Sequence, residues 1–145
     1  PVTLRDKHFT ASFTGALVKN VTQVSAASKL GDHTIIDARD ADRFKGKAAE
    51  PRAGLRAGHI PGSTNLHYKE LLNDDGTMKN KDSLKSLFKK ARINQEKPII
   101  TTCGSGVTAA IISLALEIVG YKNHSVYDGS WTEWGQFDQL PVEVG

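Results

Sequence analysis

Pro98-Ile99-Ile100-Thr101-Thr102-Cys103-Gly104-Ser105-Gly106-Val107-Thr108-Ala109 decides the fold. The apolar run at its start predicts a short buried strand, the glycines around Ser105 a tight turn, and the apolar residues of 107–119 a helix. Apolar side chains fall nearly all round that helix, which predicts burial on every side. The only cysteine of the chain, Cys103, stands where strand, turn and helix meet. Backbone N–H groups in such a turn converge on one small space, and the helix dipole adds partial positive charge there. A thiol in that place is expected to ionise readily and to act as a nucleophile.

Upstream, Thr34-Ile35-Ile36-Asp37 predicts a second buried parallel strand, running into Ala38-Arg39. Residues through His8 read as a linker or edge segment, and Phe9-Thr10-Ala11-Ser12-Phe13 alternates as a short strand does. Leu17, Val18, Val21, Val24 and Ala27 recur at helical spacing, with Gly31 as the stop. Residues 40–50 predict a short helix and then a loop, and 51–62, rich in proline and glycine, a longer loop. Ser63-Thr64-Asn65-Leu66 predicts a brief strand, Tyr68, Leu71 and Leu72 a helical turn, and Asn73-Asp74-Asp75-Gly76 a reversal. Asp82 or Ser83 is the expected cap of a helix whose apolar face is Leu84, Leu87, Phe88 and Ala91. Downstream, Gly120 closes the central helix, Ser125-Val126-Tyr127 predicts a last strand, and Asp128-Gly129 turns into Ser130-Trp131-Thr132-Glu133-Trp134-Gly135. The alternation predicts an α/β fold, a central parallel β-sheet with helices on both faces. Ligands gather at the carboxyl ends of such strands, where Cys103 and Arg39 both fall.

A length of 145 residues with 39% apolar and 24% charged side chains is that of one globular domain. The net charge of +3 is too mild to point to nucleic acid, although lysines cluster within 79–97. A single cysteine allows no internal disulfide, which fits a reducing, cytoplasmic compartment. The longest apolar stretch is interrupted and falls short of the roughly 18 residues of a membrane span. The polar start predicts no signal peptide, and the absence of an initiator methionine predicts a processed chain or a piece of a longer one. The five histidines and the cysteine show no zinc-binding spacing, so neither metal nor cofactor is expected.

Six motifs together resemble the rhodanese superfamily, in particular the C-terminal catalytic domain of 3-mercaptopyruvate sulfurtransferases. They are Asp37-Ala38-Arg39, Arg43-Phe44, Glu50-Pro51-Arg52, Gly58-His59-Ile60-Pro61-Gly62, the segment 103–109 and Tyr127-Asp128-Gly129-Ser130-Trp131. The resemblance spans residues 36–134 and implies a single rhodanese-like domain over 1–145, the second of two in tandem. It implies that Cys103 takes the sulfur of 3-mercaptopyruvate as a persulfide, releases pyruvate, and hands the sulfur to thioredoxin or a small thiol. Arg43 and Arg52 would bind the carboxylate, which suits the two parallel hydrogen bonds a guanidinium offers. Ser105 resembles the family's proton-relay serine, joined in tandem enzymes by an acidic residue and a histidine of the first domain. Gly104, Gly106, Val107 and Thr108 complete the implied substrate loop. Thiosulfate-preferring relatives carry Arg-Lys at the positions of Gly104-Ser105, so the neutral loop favours the singly charged mercapto-acid.

Blander roles stand beside these. Arg43 and Arg52 are also readable as surface or salt-bridged arginines, and Ser105 as a helix cap. His59 reads better as a tie between backbone groups than as a base, Asp37 and Arg39 as supports of the loop network, and Trp131 and Trp134 as packing. Cys-dependent phosphatases share the strand–loop–helix layout, but they resemble Cys-x5-Arg, and here Ala109 stands where that arginine would be. The remaining alternatives are a thiosulfate sulfurtransferase, a sulfur relay to another protein, and a non-catalytic docking module.

Overall fold

The computed structural model describes residues 9–94 and 96–145. The segment through His8, expected as a linker, lies outside them. In chain order the elements are β1 (Val18–Lys19), α1 (Val21–Leu30), β2 (Thr34–Asp37), α2 (Ala41–Phe44), β3 (Thr64–Asn65), α3 (Lys81–Lys90), β4 (Ile99–Thr102), α4 (Ala109–Val119), β5 (His124–Tyr127) and α5 (Ser130–Trp134). Short 3-10 turns occupy Gly15–Leu17 and Tyr68–Leu71. The sheet runs β1-β5-β4-β2-β3, and every pairing in it is parallel.

The central position of β4 follows from its composition. All four of its residues are buried, between β2 and β5. Successive strand residues point to opposite faces, and the two cores reflect this. Ile36 and Ile99 join Leu84, Phe88, Ile112, Ala115 and Leu116 on the face covered by α3 and α4. Ile35 and Ile100 join Val24, Ala27, Tyr127, Trp131 and Trp134 on the face covered by α1 and α5. The expected sheet with helices on both faces is thus present. Truncating a fully buried side chain such as Leu116 to alanine should cost about 2–5 kcal/mol.

Several local expectations are corrected. Residues 9–14 form no strand; Phe9 and Phe13 are exposed, and the edge strand is Val18–Lys19. Helix α1 therefore starts only at Val21, where Asn20 forms a reciprocal capping box with Gln23, and it stops at Gly31 in a left-handed conformation. The cap of α3 is Asn80, whose side chain accepts from the Ser83 N–H; Asp82 lies inside the first turn, where its charge suits the dipole. Helix α4 is not buried on every side. Ala109, Ile112, Ala115, Leu116 and Val119 are buried, but Leu114 and Ile118 are exposed, as is Val107 in the loop ahead of the helix. The sheet, α3 and the 3-10 turn Tyr68–Leu71 pack against this helix, and no described element covers Leu114 and Ile118.

Candidate active site

Strand β4 delivers Cys103 to the carboxyl edge of the sheet, and the loop after it is pinned from behind by α5. Trp131 N–H donates to the Cys103 carbonyl at 2.9 Å, and Thr132 N–H to the Gly104 carbonyl at 2.8 Å. The Cys103 N–H donates to Ser130 Oγ at 3.1 Å, and that hydroxyl donates to the Tyr127 carbonyl at 2.8 Å. Ser130 makes these bonds from a left-handed backbone, φ 49°, which is unusual for a side chain other than glycine. Gly106 turns the loop with φ 85°, and an added Cβ would stand 2.8 Å from the Asp128 carbonyl oxygen. Only glycine meets both demands.

Pinning the carbonyls in this way leaves the donors on the other side. Among the described residues the N–H groups of Gly104, Ser105, Val107 and Thr108 engage no backbone acceptor, and Thr108 at the start of α4 provides no side-chain cap. Those four residues line a cleft of about 250 Å³ together with Cys103, Arg43, Glu50, Pro51, Arg52, Leu55 and Thr132. Unengaged N–H groups at a helix N-terminus suit an anion. Cys103 is a free thiol, 2% exposed.

The two arginines reach the cleft by different routes. Arg43 lies on α2, which Asp40 caps by accepting from the Arg43 N–H. Its guanidinium donates to both oxygens of Glu50, at 2.6 and 3.3 Å, and stands over the loop, 3.0 Å from where a Cβ on Gly104 would be. Glu50 also accepts from Arg39 at 2.7 Å, and Arg39 in turn forks onto Asp37 at 2.7–3.2 Å. Trp131 packs under the Arg39 guanidinium, 4.5 Å from its ring centre. Burial opposes the charge of Arg43, but the Glu50 carboxylate outweighs it and holds the guanidinium proton more firmly than usual. Arg52, on the exposed loop after Glu50, donates to Thr132 Oγ1, and Thr132 Oγ1 donates to the Gly104 carbonyl at 2.5 Å.

The expected site residues Cys103, Gly104, Ser105, Val107, Thr108, Arg43 and Arg52 thus meet in one cleft. Gly106 does not line it; buried behind the loop, it acts on shape through its backbone. Ser105 is exposed at the cleft and caps nothing. His59 stands elsewhere, stacked on Phe44 with ring centres 3.7 Å apart and tied to the Phe44 carbonyl at 2.7 Å. Asp37 and Arg39 support from behind, as expected. The partnering role of Glu50 and the contributions of Ser130 and Thr132 were not anticipated. Local spacing would have misled for Glu50, whose partners are Arg39 and Arg43 and not the nearby Arg52. No signal marked Thr132. Among the described residues no cluster of three metal-ligand side chains occurs, and no helix is long and apolar enough to cross a membrane.

A parallel α/β domain that presents one cysteine in a loop of free N–H groups, at the end of its central strand, defines a class of cysteine-loop proteins. The chain belongs to the rhodanese-like domain family, whose model matches residues 20–137. It is 46% identical to a 3-mercaptopyruvate sulfurtransferase of Escherichia coli K12, over 98% of this chain and 50% of the relative. It is 39% identical to thiosulfate/3-mercaptopyruvate sulfurtransferase 1, mitochondrial, of Arabidopsis thaliana, over 93% of this chain and 36% of the relative. The crystal structure of SseA from Escherichia coli, a 3-mercaptopyruvate sulfotransferase, superposes with a TM-score of 0.75 at 42% identity, over 90% of this chain and 48% of SseA. The chain spans half the length of its curated Escherichia coli relative.

Proposed function

We propose that the chain is the catalytic, C-terminal half of a sulfurtransferase that takes sulfur from 3-mercaptopyruvate and passes it to a thiol. The observation that carries this is the charge of the cleft around the one thiol. Two arginines and one glutamate line it, leaving a single uncompensated positive charge beside Cys103. A monoanionic keto acid matches that balance better than a dianion does.

Arg43 and Arg52 hold the carboxylate, and Gly104, Val107 and Thr108 surround the reacting end, with Gly106 shaping their loop from behind. The Cys103 thiolate attacks the substrate sulfur; the S–S bond forms as the C–S bond breaks, and its electron pair goes to carbon as the enolate of pyruvate. The proton leaving the substrate thiol reaches that carbon, with Ser105 as the hydroxyl placed to carry it. Pyruvate departs, and Cys103 keeps a persulfide whose negative charge the loop N–H groups stabilise. A second thiolate, of thioredoxin or a small thiol, then attacks the outer sulfur and returns Cys103. The free thiol suits a reducing, cytoplasmic setting. Thiosulfate is the second donor: the same N–H groups suit sulfonate oxygens, and the Arabidopsis relative is named for both donors.

Intact-mass spectrometry after brief exposure to 3-mercaptopyruvate tests this. The expected result is a gain of one sulfur, reversed by a thiol reductant and absent in Cys103→Ser. Sulfur gained equally by Cys103→Ser would overturn it.

A further inference from the structure

Arg43 is held by a buried carboxylate, whereas Arg52 sits on an exposed loop and has one hydrogen-bond partner among the described residues, Thr132 Oγ1. A hydroxyl has a single proton, and that of Thr132 goes to the Gly104 carbonyl at 2.5 Å. Its lone pairs are therefore free to accept from Arg52. The resulting chain, guanidinium to hydroxyl to carbonyl, joins the exposed arginine to the residue directly after Cys103 through a threonine 80 positions from that arginine in sequence. The Thr132 N–H donates to the same carbonyl at 2.8 Å, so two bonds fix the threonine against the loop. Its branched Cβ further restricts rotation.

We infer that Thr132 is a positioning residue that sets recognition of the donor carboxylate by latching Arg52 to the Cys103 loop. This rests on the sulfur-transfer reading above and deepens it. An arginine on a loop pays conformational entropy each time it orders on a ligand; one already held by a fixed acceptor avoids most of that. Thr132 is half-buried in the wall of the cleft itself, so the latch acts without a moving segment.

The test compares wild type with Thr132→Val, which keeps the shape and removes the hydroxyl, and with Thr132→Ser, which restores it. With 3-mercaptopyruvate, Thr132→Val should raise KM about tenfold, the scale of one charge-assisted hydrogen bond, with kcat nearly unchanged. Thr132→Ser should recover most of the loss. With 1-mercaptopropan-2-one, which lacks the carboxylate, Thr132→Val should behave as wild type. Equal effects on both donors, or a fall in kcat alone, would overturn the inference and make Thr132 a loop support. Nitrogen relaxation of the Arg52 side chain reads the latch with no donor present. The expected result is a guanidinium ordered in wild type and mobile in Thr132→Val; one equally mobile in both overturns the latch. If wild-type Cys103 gains no sulfur while Arg52 is released by Thr132→Val, the sulfur-transfer reading falls and the latch stands.

Discussion

Arg43 and Arg52 offer the same guanidinium to the same cleft, yet the protein behind them could hardly differ more. Behind Arg43 stands a ladder of alternating charge, Glu50, Arg39 and Asp37, whose side chains are only 1–2% exposed. Each charge has its counter-charge within 2.7 Å, so burial is tolerated because no member is unpaired. Behind Arg52 stands one hydroxyl. The first arginine is positioned by folding itself and can move only at the cost of the ladder. The second can be adjusted by changing a single side chain. A site of this kind keeps a rigid reference on one wall and a tunable contact on the other.

The contrast is open to breaking at its strongest point first. Glu50→Gln keeps the shape but leaves the buried Arg39 and the half-buried Arg43 short of a counter-charge. The variant should lose about 3–5 kcal/mol of stability, read as a lower urea midpoint. A loss no larger than that of a surface substitution would mean that the ladder is not what holds Arg43. Gly106→Ala probes the loop that both arginines face. The left-handed φ and the contact with the Asp128 carbonyl should cost about 1–3 kcal/mol and slow persulfide formation. Full loading at the wild-type rate would show that the loop tolerates another shape.

Replacing the arginines separates the two walls. Arg43→Ala and Arg52→Ala should each raise KM for 3-mercaptopyruvate by roughly tenfold or more, and far less for a donor without a carboxylate. Only Arg43→Ala should also lower the unfolding temperature, because it strips Glu50 of a partner. Equal losses of stability in both variants would erase the distinction. The smallest expected effect concerns the α5 side. Burial, and then the bond to and charge of Glu133, push the Tyr127 phenol well above its ordinary value of 10. The unfolded chain can ionise this group above pH 10 while the folded one resists, so this contribution to stability is full below that pH and declines above it. Tyr127→Phe should flatten the alkaline fall in unfolding temperature without altering the neutral value of KM.

Much of the site was legible because its signals are local. Cys103 follows an apolar run and precedes a glycine turn, and backbone sterics alone make that a strand, a loop and a helix start. Gly31 and Gly120 announce helix ends by the left-handed conformation they permit; Arg43 and Arg52, by contrast, were marked by the family resemblance and not by any local pattern. The buried face of α4 was legible too, but not its limit. An apolar helix pattern states what water disfavours; whether a neighbour arrives to cover Leu114 and Ile118 is a matter of how many elements the fold stacks there. The same gap misplaced the first strand, since alternation in 9–13 had no adjacent edge to pair with, whereas Val18 and Lys19 meet Val126 and Tyr127.

By itself, then, the order of residues determined the α/β alternation, the parallel sheet and the place of Cys103 between strand, turn and helix, because each rests on chemistry within a few positions; Arg43 and Arg52 were marked only by the motifs of the family resemblance. Only the tertiary structure decided that Glu50 serves two arginines, that Ser130 holds the Cys103 amide from a strained backbone, and that Thr132 links Arg52 to Gly104. Such contacts join residues up to 80 positions apart. Their partners are chosen by which strand ends the sheet brings to one edge, and hydrogen-bonding groups carry no mark in the sequence of the partner they will meet.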